Sequence, residues 1–398
     1  MGPAERPAGR SARRQAAGRA ARRERRAHLL PAARGRIRGY RRCAPLLLGP
    51  AGREGRVHPG GLPLNRFGAT ILDAGGLRLT REERAFFRDM RPLGFILFAR
   101  NIDTPDQLRA LVEEMRAAAG HEALITIDQE GGRVQRLRPP HWRAWPAPLD
   151  HVAAAGAHAA QAMYLRYRLI AAELHALGID GNCAPLVDVA GPDTHPFLRN
   201  RCYGAQAAQV AGIGRAVAEG LMAGGVLPVV KHIPGHGRAT ADSHHVLPRV
   251  DCAKNDLQDV DFTPFRELSD LPMAMTAHVV YAALDEQPAT LSPAVIGAIR
   301  DEIGFDGLLM TDDISMKALS GDLATRARAA LAAGCDVVLH CNGTLDERRA
   351  VAEAAGEMTA PAQRRAEAAL ACRRIPDPVD ISALAKQLDA LTGGRMHG

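Results

Sequence analysis

Residues 226–248 read Val-Leu-Pro-Val-Val-Lys-His-Ile-Pro-Gly-His-Gly-Arg-Ala-Thr-Ala-Asp-Ser-His-His-Val-Leu-Pro. The run from Val226 to Val230 has the composition of a buried strand, so Lys231 and His232 fall where a strand ends. Pro234, Gly235 and Gly237 then impose a loop that is neither helix nor sheet. The strand end and loop together gather four histidines, a lysine, an arginine and an aspartate. A solvated loop would explain a charge or two. It would not explain a Lys-His pair fixed at a strand end with Asp242-Ser243-His244 soon after it. Titratable groups gathered on a loop beside a rigid element mark a place for chemistry. The pattern recurs at Leu308-Leu309-Met310-Thr311-Asp312-Asp313, an apolar run that ends in carboxylates. Carboxylates have no place in a core, so this strand end must open into a site or into solvent.

Outward from these two strands, the chain from Phe67 onward alternates apolar runs of strand length with longer amphipathic segments. Strands are expected at 68–72, 94–98, 124–128, 181–189, 227–232, 274–279, 308–312 and 337–341. Helices are expected near 81–90, 105–119, 157–177, 206–223, 261–269, 293–303, 324–333 and 346–358, with one more pattern at 381–391. Alternating β and α with near-continuous apolar strands means a parallel sheet covered by helices. Eight such units over about 290 residues fit an α/β fold of the (β/α)8 TIM-barrel type, one domain spanning 67–398. An open doubly wound sheet would carry a Gly-rich phosphate turn after its first strand, and here that position reads Asp73-Ala74-Gly75-Gly76. Polar residues fall at successive strand ends: Asn101, Asp128, Asp188, Lys231 with His232, His278, Asp312 with Asp313, and Asn342. Barrel enzymes place their chemistry there.

At 398 residues, 46 % of them apolar, the chain can bury a full-sized core and is not disordered throughout. Its formal charge of +7 hides two regimes. Residues 1–66 hold 17 of the 51 Lys and Arg, all of them Arg, and 3 of the 44 Asp and Glu, a net of +14. The rest holds 34 basic and 41 acidic residues, a net of −7. A mildly acidic body has no bias toward nucleic acid, and no apolar run reaches the roughly 18 residues of a membrane span. The seven cysteines are odd in number and lack a CxxC, and several lie in apolar runs. They read as buried free thiols of a reducing cytoplasm. Leu46-Leu47-Leu48 is too short and too late for a secretory signal. The first 66 residues, rich in Arg, Ala, Gly and Pro without periodicity, are expected to be disordered. A nucleic-acid arm would want interleaved aromatics, and Tyr40 stands alone. The absence of Lys beside so many Arg also fits a start codon assigned too early.

Asp312 at a strand end is suited to act as nucleophile, base, metal ligand or cation partner. His244 can give and take protons near neutral pH, and Asp242 can accept a hydrogen bond from its ring, fixing the tautomer and favouring the imidazolium. A nucleophilic carboxylate opposite a carboxylate-supported proton donor is the layout for displacement at an acetal carbon. Asp128 and Arg136, in the run Asp128-Gln129-Glu130-Gly131-Gly132-Arg133-Val134-Gln135-Arg136, supply charged partners for sugar hydroxyls on a loop with adjacent glycines. Arg133 and Arg136 also fit as ion-pair partners of acids at the barrel rim. A rival reading has His232, His236, His244 and His245 with Asp312 bind zinc. The spacings across a Gly/Pro loop give no rigid ligand pair, and Lys231 puts a cation beside the site, so no metal and no cofactor is expected.

These motifs resemble the bacterial β-N-acetylglucosaminidases of glycoside hydrolase family 3, the single-domain cytoplasmic type. The resemblance rests on Gly94 to Phe98, Asp128 to Arg136, Ala184 to Asp188, Lys231 to Gly237, Asp242-Ser243-His244, Met275 to His278 and Thr311 to Met316, spanning nearly all of 67–345. It implies a TIM barrel without a second domain and a retaining mechanism through a covalent glycosyl-enzyme. Asp312 would be the nucleophile and His244 the acid/base, supported by Asp242 on a mobile loop. Asp128, Arg136, Arg201, Lys231 and His232 would hold the N-acetylglucosamine. The implied substrate is N-acetylglucosaminyl-1,6-anhydro-N-acetylmuramic acid, with or without peptide, in peptidoglycan recycling. The implied partners are this small molecule alone, with no nucleic acid or membrane, for a cytoplasmic monomer. Ile233 stands where Phe is common, and Arg238 where a small acid or amide is frequent. A phosphorylase on the same scaffold is the alternative, since a histidine donor would not repel incoming phosphate. A non-catalytic sugar-binding or nucleic-acid-binding protein would have no need of a nucleophile.

Overall fold

The computed structural model describes Gly2, residues 66–241, Ser243 and residues 246–394. The basic extension expected over 1–66 therefore lies outside the described residues, Gly2 and Arg66 excepted, as do Asp242 and His244. Eight parallel strands form the centre: β1 (Gly68–Leu72), β2 (Pro92–Leu97), β3 (Leu124–Ile127), β4 (Gly181–Asn182), β5 (Leu227–Ile233), β6 (Met273–Thr276), β7 (Leu308–Met310) and β8 (Val338–His340). They pair in the order β7-β6-β5-β4-β3-β2-β1-β8. The two ends of that row meet through a parallel bridge between Met310 and Val337. At this seam Thr311 N donates to the Val337 carbonyl at 3.1 Å, and Leu339 N donates to Thr311 Oγ1 at 2.9 Å. The threonine hydroxyl stands in for a backbone acceptor and brings the sheet close to a closed barrel, as expected of the TIM-barrel class.

Helices cover the outside. They include α1 (Arg81–Met90), α2 (Pro105–Ala119), α3 (Pro148–Ala155), α4 (Ala159–His175), α5 (Ala207–Ala223), α6 (Thr263–Glu267), α7 (Pro293–Ala298), α8 (Leu323–Ala333) and α9 (Leu345–Ala355). Their starts are written in the sequence: Thr80, Thr104, Asp322 and Thr344 each accept a hydrogen bond from the backbone N–H three residues on, satisfying donors the first turn leaves open. Among the described residues no helix is long and apolar enough to cross a membrane.

The differences from expectation have local causes. The strand expected over 181–189 is regular only at Gly181–Asn182, although the Ala184 and Pro185 carbonyls still accept from Val229 N and Lys231 N of β5 at 2.9 and 3.0 Å. Pro185 has no N–H to give the ladder, and the chain beyond it rejoins β5 through Val187 N on the Lys231 carbonyl at 2.9 Å. The helix expected at 261–269 is present as α6 and follows a π-helical turn at Leu257–Asp261, and the one expected at 293–303 gives way after Ala298 to a π-helical turn at Ile299–Ile303. α3 and a further helix, α10 (Ala360–Leu370), have no counterpart in the sequence reading, whereas the last helix, α11 (Ile381–Thr392), does.

α10 escapes notice because its inward face is alanine, yet it closes the barrel floor. Ala362, Ala366 and Ala369 share one core cluster with barrel residues including Ile71, Leu93, Val229, Met273 and Leu308. Arg365 pairs with Asp306 and Asp336 at the start of β7 and β8, and Phe67 N donates to Gln363 Oε1 at 3.1 Å at the start of β1. Small side chains let the helix lie flat against strand ends already filled by Leu and Met. With the floor sealed, the open end of the barrel is the one where the strands finish. Ala366 is fully buried, so Ala366→Leu is expected to overpack the floor and cost about 1–3 kcal/mol. Ala368→Leu, on the exposed face of the same helix, is expected to stay within about 0.5 kcal/mol of the parent. Thermal unfolding of the two variants side by side checks this; equal midpoints would remove α10 from the core.

Candidate active site

β5 ends by placing Lys231 in the barrel interior, where it is 2 % exposed. An ammonium buried that far must be paired, and two carboxylates meet it: Asp128 Oδ1 at 2.9 Å and Glu130 Oε1 at 2.7 Å. Both come from the end of β3, where Gln129–Gly131 and Val134–Gln135 fold back as a short antiparallel ribbon. The two-residue period of that ribbon brings Asp128 and Glu130 to the same ammonium. Gly131 is required at its turn: it has φ +111°, and a Cβ there would collide with the Arg166 guanidinium that holds the Glu130 and Pro146 carbonyls.

Two more cations complete the group. Arg201 grips Glu130 with both arms, Nε to Oε2 at 2.9 Å and Nη2 to Oε1 at 2.7 Å. Arg136 Nη2 reaches Asp128 Oδ2 at 3.1 Å. Burial alone would raise both carboxyls. Lys231 and then Arg136 outweigh it at Asp128, which is held well below the usual carboxylate range. Arg201 and Lys231 do the same at Glu130, held at about 2. Lys231 in turn is pushed up, as Asp128 and Glu130 overcome its burial. The cluster is ionised throughout the physiological range.

His232 turns to the other side of the strand end. Its Nδ1 lies 2.8 Å from Asp188 Oδ2, and Asp188 Oδ1 accepts the backbone N–H groups of His232 at 3.2 Å and His236 at 2.7 Å. One carboxylate thus fixes the His232 ring and the start of the following loop. Gly237 is needed here because a Cβ would run into the Val189 carbonyl. Arg238 points away to Asp261, with Nε to Oδ2 at 2.6 Å. His236 Nε2 lies 3.3 Å from Ser243 Oγ, and burial, with the His232 ring, pushes His236 down to about 4.

Asp312 follows β7, with Oδ1 accepting the Asp313 N–H at 2.8 Å. Burial would raise this carboxyl, but the His278 and His232 rings, the Asp313 N–H and Lys231 hold it below its ordinary 3.8. Asp313 turns inward to Ser315 N and Oγ at 2.9 and 2.6 Å, so it shapes the loop. A cavity of about 270 Å³ opens over these groups, just below the ~300–1,000 Å³ usual for small-molecule sites. Asp128, Arg136, Arg201, Lys231, His232 and Asp312 all line it, with Phe98, Phe197 and Asn342 among its other walls. Arg133 also faces it, its guanidinium 3.2 Å from the Phe197 ring centroid. A smaller pocket beside it is lined by Asp312, His232, Arg201, His236, Ala241 and Ser243.

Every described residue named from the sequence as a site residue is therefore in one place. Asp242, His244 and His245 lie outside the described residues. His232 and His236 each already engage a ring nitrogen, with Asp188 and Ser243, and among the described residues no group of three or more His, Cys, Asp or Glu is arranged to hold a metal ion. The sequence reading passed over Glu130 and left Asp188 without a role. Glu130 was open to detection, standing two residues from Asp128 on a ribbon of period two. The partner Arg201, 71 residues away, was placed only by resemblance.

Residues 67–373 match the Glycosyl hydrolase family 3 N terminal domain. The chain is 41 % identical over 283 residues to a protein named Beta-hexosaminidase from Alkalilimnicola ehrlichii, covering 69 % of this chain and 81 % of the relative. Native NagZ from Neisseria gonorrhoeae has a similar structure, with TM-score 0.72 and 31 % identity over 83 % of this chain and 98 % of that one. The same enzyme in complex with N-trifluoroacetyl-D-glucosamine superposes with TM-score 0.68 at 29 % identity, covering 83 % of this chain and 100 % of that one. The chain belongs to glycosyl hydrolase family 3 and is a glycoside hydrolase of the β-hexosaminidase type.

Proposed function

We propose that the protein is a retaining exo-β-N-acetylglucosaminidase that removes terminal N-acetylglucosamine from N-acetylglucosaminyl-1,6-anhydro-N-acetylmuramic acid, with or without peptide, as a cytoplasmic monomer of peptidoglycan recycling. Residues 67–398 are the catalytic unit. The observation that carries the reading is an ionised, half-buried Asp312 on the wall of a cavity sized for one sugar ring, facing Asp128, Arg136, Arg201, Lys231 and His232. Those five side chains are assigned to the sugar hydroxyls and acetamide. A bound analogue of N-acetylglucosamine in a related enzyme supports a hexosamine in this cavity.

In the first step the Asp312 carboxylate attacks the anomeric carbon. The glycosidic C–O bond breaks, and His244 protonates the departing oxygen. In the second step His244 takes a proton from water, the water oxygen attacks the same carbon, and Asp312 leaves as carboxylate. Asp242 supports the imidazolium that exists before the first step and after the second, and fixes the tautomer of the neutral ring between them. Ala241 and Ser243, the neighbours of Asp242 in the chain, line the small pocket that also contains Asp312, which supports the loop as the source of the proton donor.

Asp312→Ala is expected to lose on the order of 10⁴-fold or more in kcat while keeping its fold; an active variant would sink the assignment. His244→Ala is expected to slow natural substrates by about 10²–10⁴-fold and aryl glycosides with good leaving groups far less. Equal losses on both would remove His244 from the acid role. Turnover that requires phosphate and yields a sugar 1-phosphate would replace hydrolysis by phosphorolysis.

The acid limb of kcat/KM is expected below pH 3.8, because the Asp312 carboxyl is lowered from that value in the folded chain and must be ionised to attack. Asp128 and Glu130 are also lowered, so the stabilisation they contribute is fully present above the ordinary carboxylate values and is lost as pH falls from there through the folded ones, about 2 for Glu130. A limb near pH 5 in a pH profile of the intact chain would contradict the assignment of Asp312.

A further inference from the structure

We propose that Asn342 is a substrate-contacting residue whose side-chain amide donates a hydrogen bond to an oxygen of the bound hexosamine, and that Asp73 and Arg100 are the positioning residues that aim it. The proposal rests on the hexosaminidase reading above. Asn342 follows β8 at the rim of the cavity that also holds Asp312 and Arg136. Its φ is +64°, and among the described residues only Arg91, the cap that ends α1, shares a positive φ without being glycine. Asparagine tolerates that conformation better than most residues, and here a carboxylate holds it. Asp73, 1 % exposed at the end of β1, accepts the Asn342 backbone N–H on Oδ2 at 2.9 Å. Asp73 is itself ion-paired to Arg100 and Arg348.

The side chain is aimed by the same pair. Asn342 Oδ1 accepts from Arg100 Nη1 at 2.8 Å. A guanidinium has only donors, so this contact settles which end of the amide is oxygen and turns Nδ2 the opposite way. The nearest acceptors on that side are Asp313 Oδ2 at 3.5 Å and Cys341 Sγ at 3.4 Å, the first at the limit of a hydrogen bond and the second a weak acceptor. Arg100 is steadied in turn by the Phe98 ring, 4.8 Å from its guanidinium, and the same ring lies 5.0 Å from the Arg136 guanidinium. The result is an amide donor at the cavity rim, fixed from behind by an ion pair and weakly engaged in front. Its chemistry suits a neutral oxygen, either a ring hydroxyl or the acetamide carbonyl.

A residue that merely turns the chain from β8 toward α9 would show the same φ, and one substitution separates the roles. Asn342→Gly keeps the positive φ without strain and removes the amide. It is measured on the full chain with an aryl N-acetyl-β-glucosaminide and with the matching aryl β-glucoside, which carries a hydroxyl in place of the acetamide. Expected is a loss of about 5- to 10-fold in kcat/KM with an unchanged thermal midpoint. A loss confined to the N-acetyl substrate identifies the acetamide carbonyl, and an equal loss on both identifies a ring hydroxyl. Asn342→Asp, which replaces the donor by a third carboxylate beside Asp312 and Asp313, is expected to lose at least as much. Arg100→Met is expected to lower kcat/KM alone yet add nothing on top of Asn342→Gly, because it acts through the amide; losses that multiply would overturn the positioning role. An Asn342→Gly enzyme with parental kcat/KM on both substrates would overturn the proposal while leaving the hexosaminidase reading intact. A parent chain that turns over neither substrate would remove that reading, and the proposal with it.

Discussion

The ammonium of Lys231 between Asp128 and Glu130 is the interaction on which the rest of the site depends. Taking such a charge out of water costs several kcal/mol per ion, and the arrangement is tolerable only because each partner is neutralised again. Glu130 is gripped by Arg201 and Asp128 by Arg136. Removing Glu130 would leave the buried Arg201 guanidinium without its bidentate partner. This row of ion pairs, Arg201–Glu130–Lys231–Asp128–Arg136, fixes the end of β3, the end of β5 and the loop that brings in Arg201. It also lines the cavity with charged donors already held in place by their ion pairs, the condition for electrostatic stabilisation to act on a transition state.

A second fixed point is Asp188. By taking the His232 ring and two backbone N–H groups it roots the loop after β5. Thr194 Oγ1 on the Gly237 carbonyl and Tyr281 on the Gly235 carbonyl at 2.7 Å add to that anchorage. The histidine motif is thus attached rigidly at its base. Arg238 adds an outward tie to Asp261.

The barrel and most of the site were legible because a parallel barrel separates its chemistry so cleanly. Strands buried on both sides are apolar runs, and the first charged residues at the ends of the third, fifth and seventh runs line the cavity. Lys231, His232, Asp128 and Asp312 were found in that way. Three kinds of feature were hidden. α10 presents alanines to the floor, and alanine carries no periodic signal strong enough to distinguish a packed face from an exposed one. Pairings between distant loops, such as Glu130 with Arg201 or Asp73 with Asn342, depend on closure of the barrel, which places chain segments side by side that no local pattern relates. The short β4 is a third case, where Pro185, lacking an N–H, interrupts a ladder that hydrophobicity alone would have kept regular.

The account turns on Asp312 forming a bond to the anomeric carbon. The direct measurement exposes the full chain to an activated N-acetylglucosaminide carrying fluorine beside the ring oxygen, which slows release of a glycosyl-enzyme more than its formation. Intact mass and peptide mapping follow. The expected result is one sugar unit added per chain, located on the peptide that contains Asp312. Steady turnover with no adduct, or an adduct on a different side chain, would contradict it.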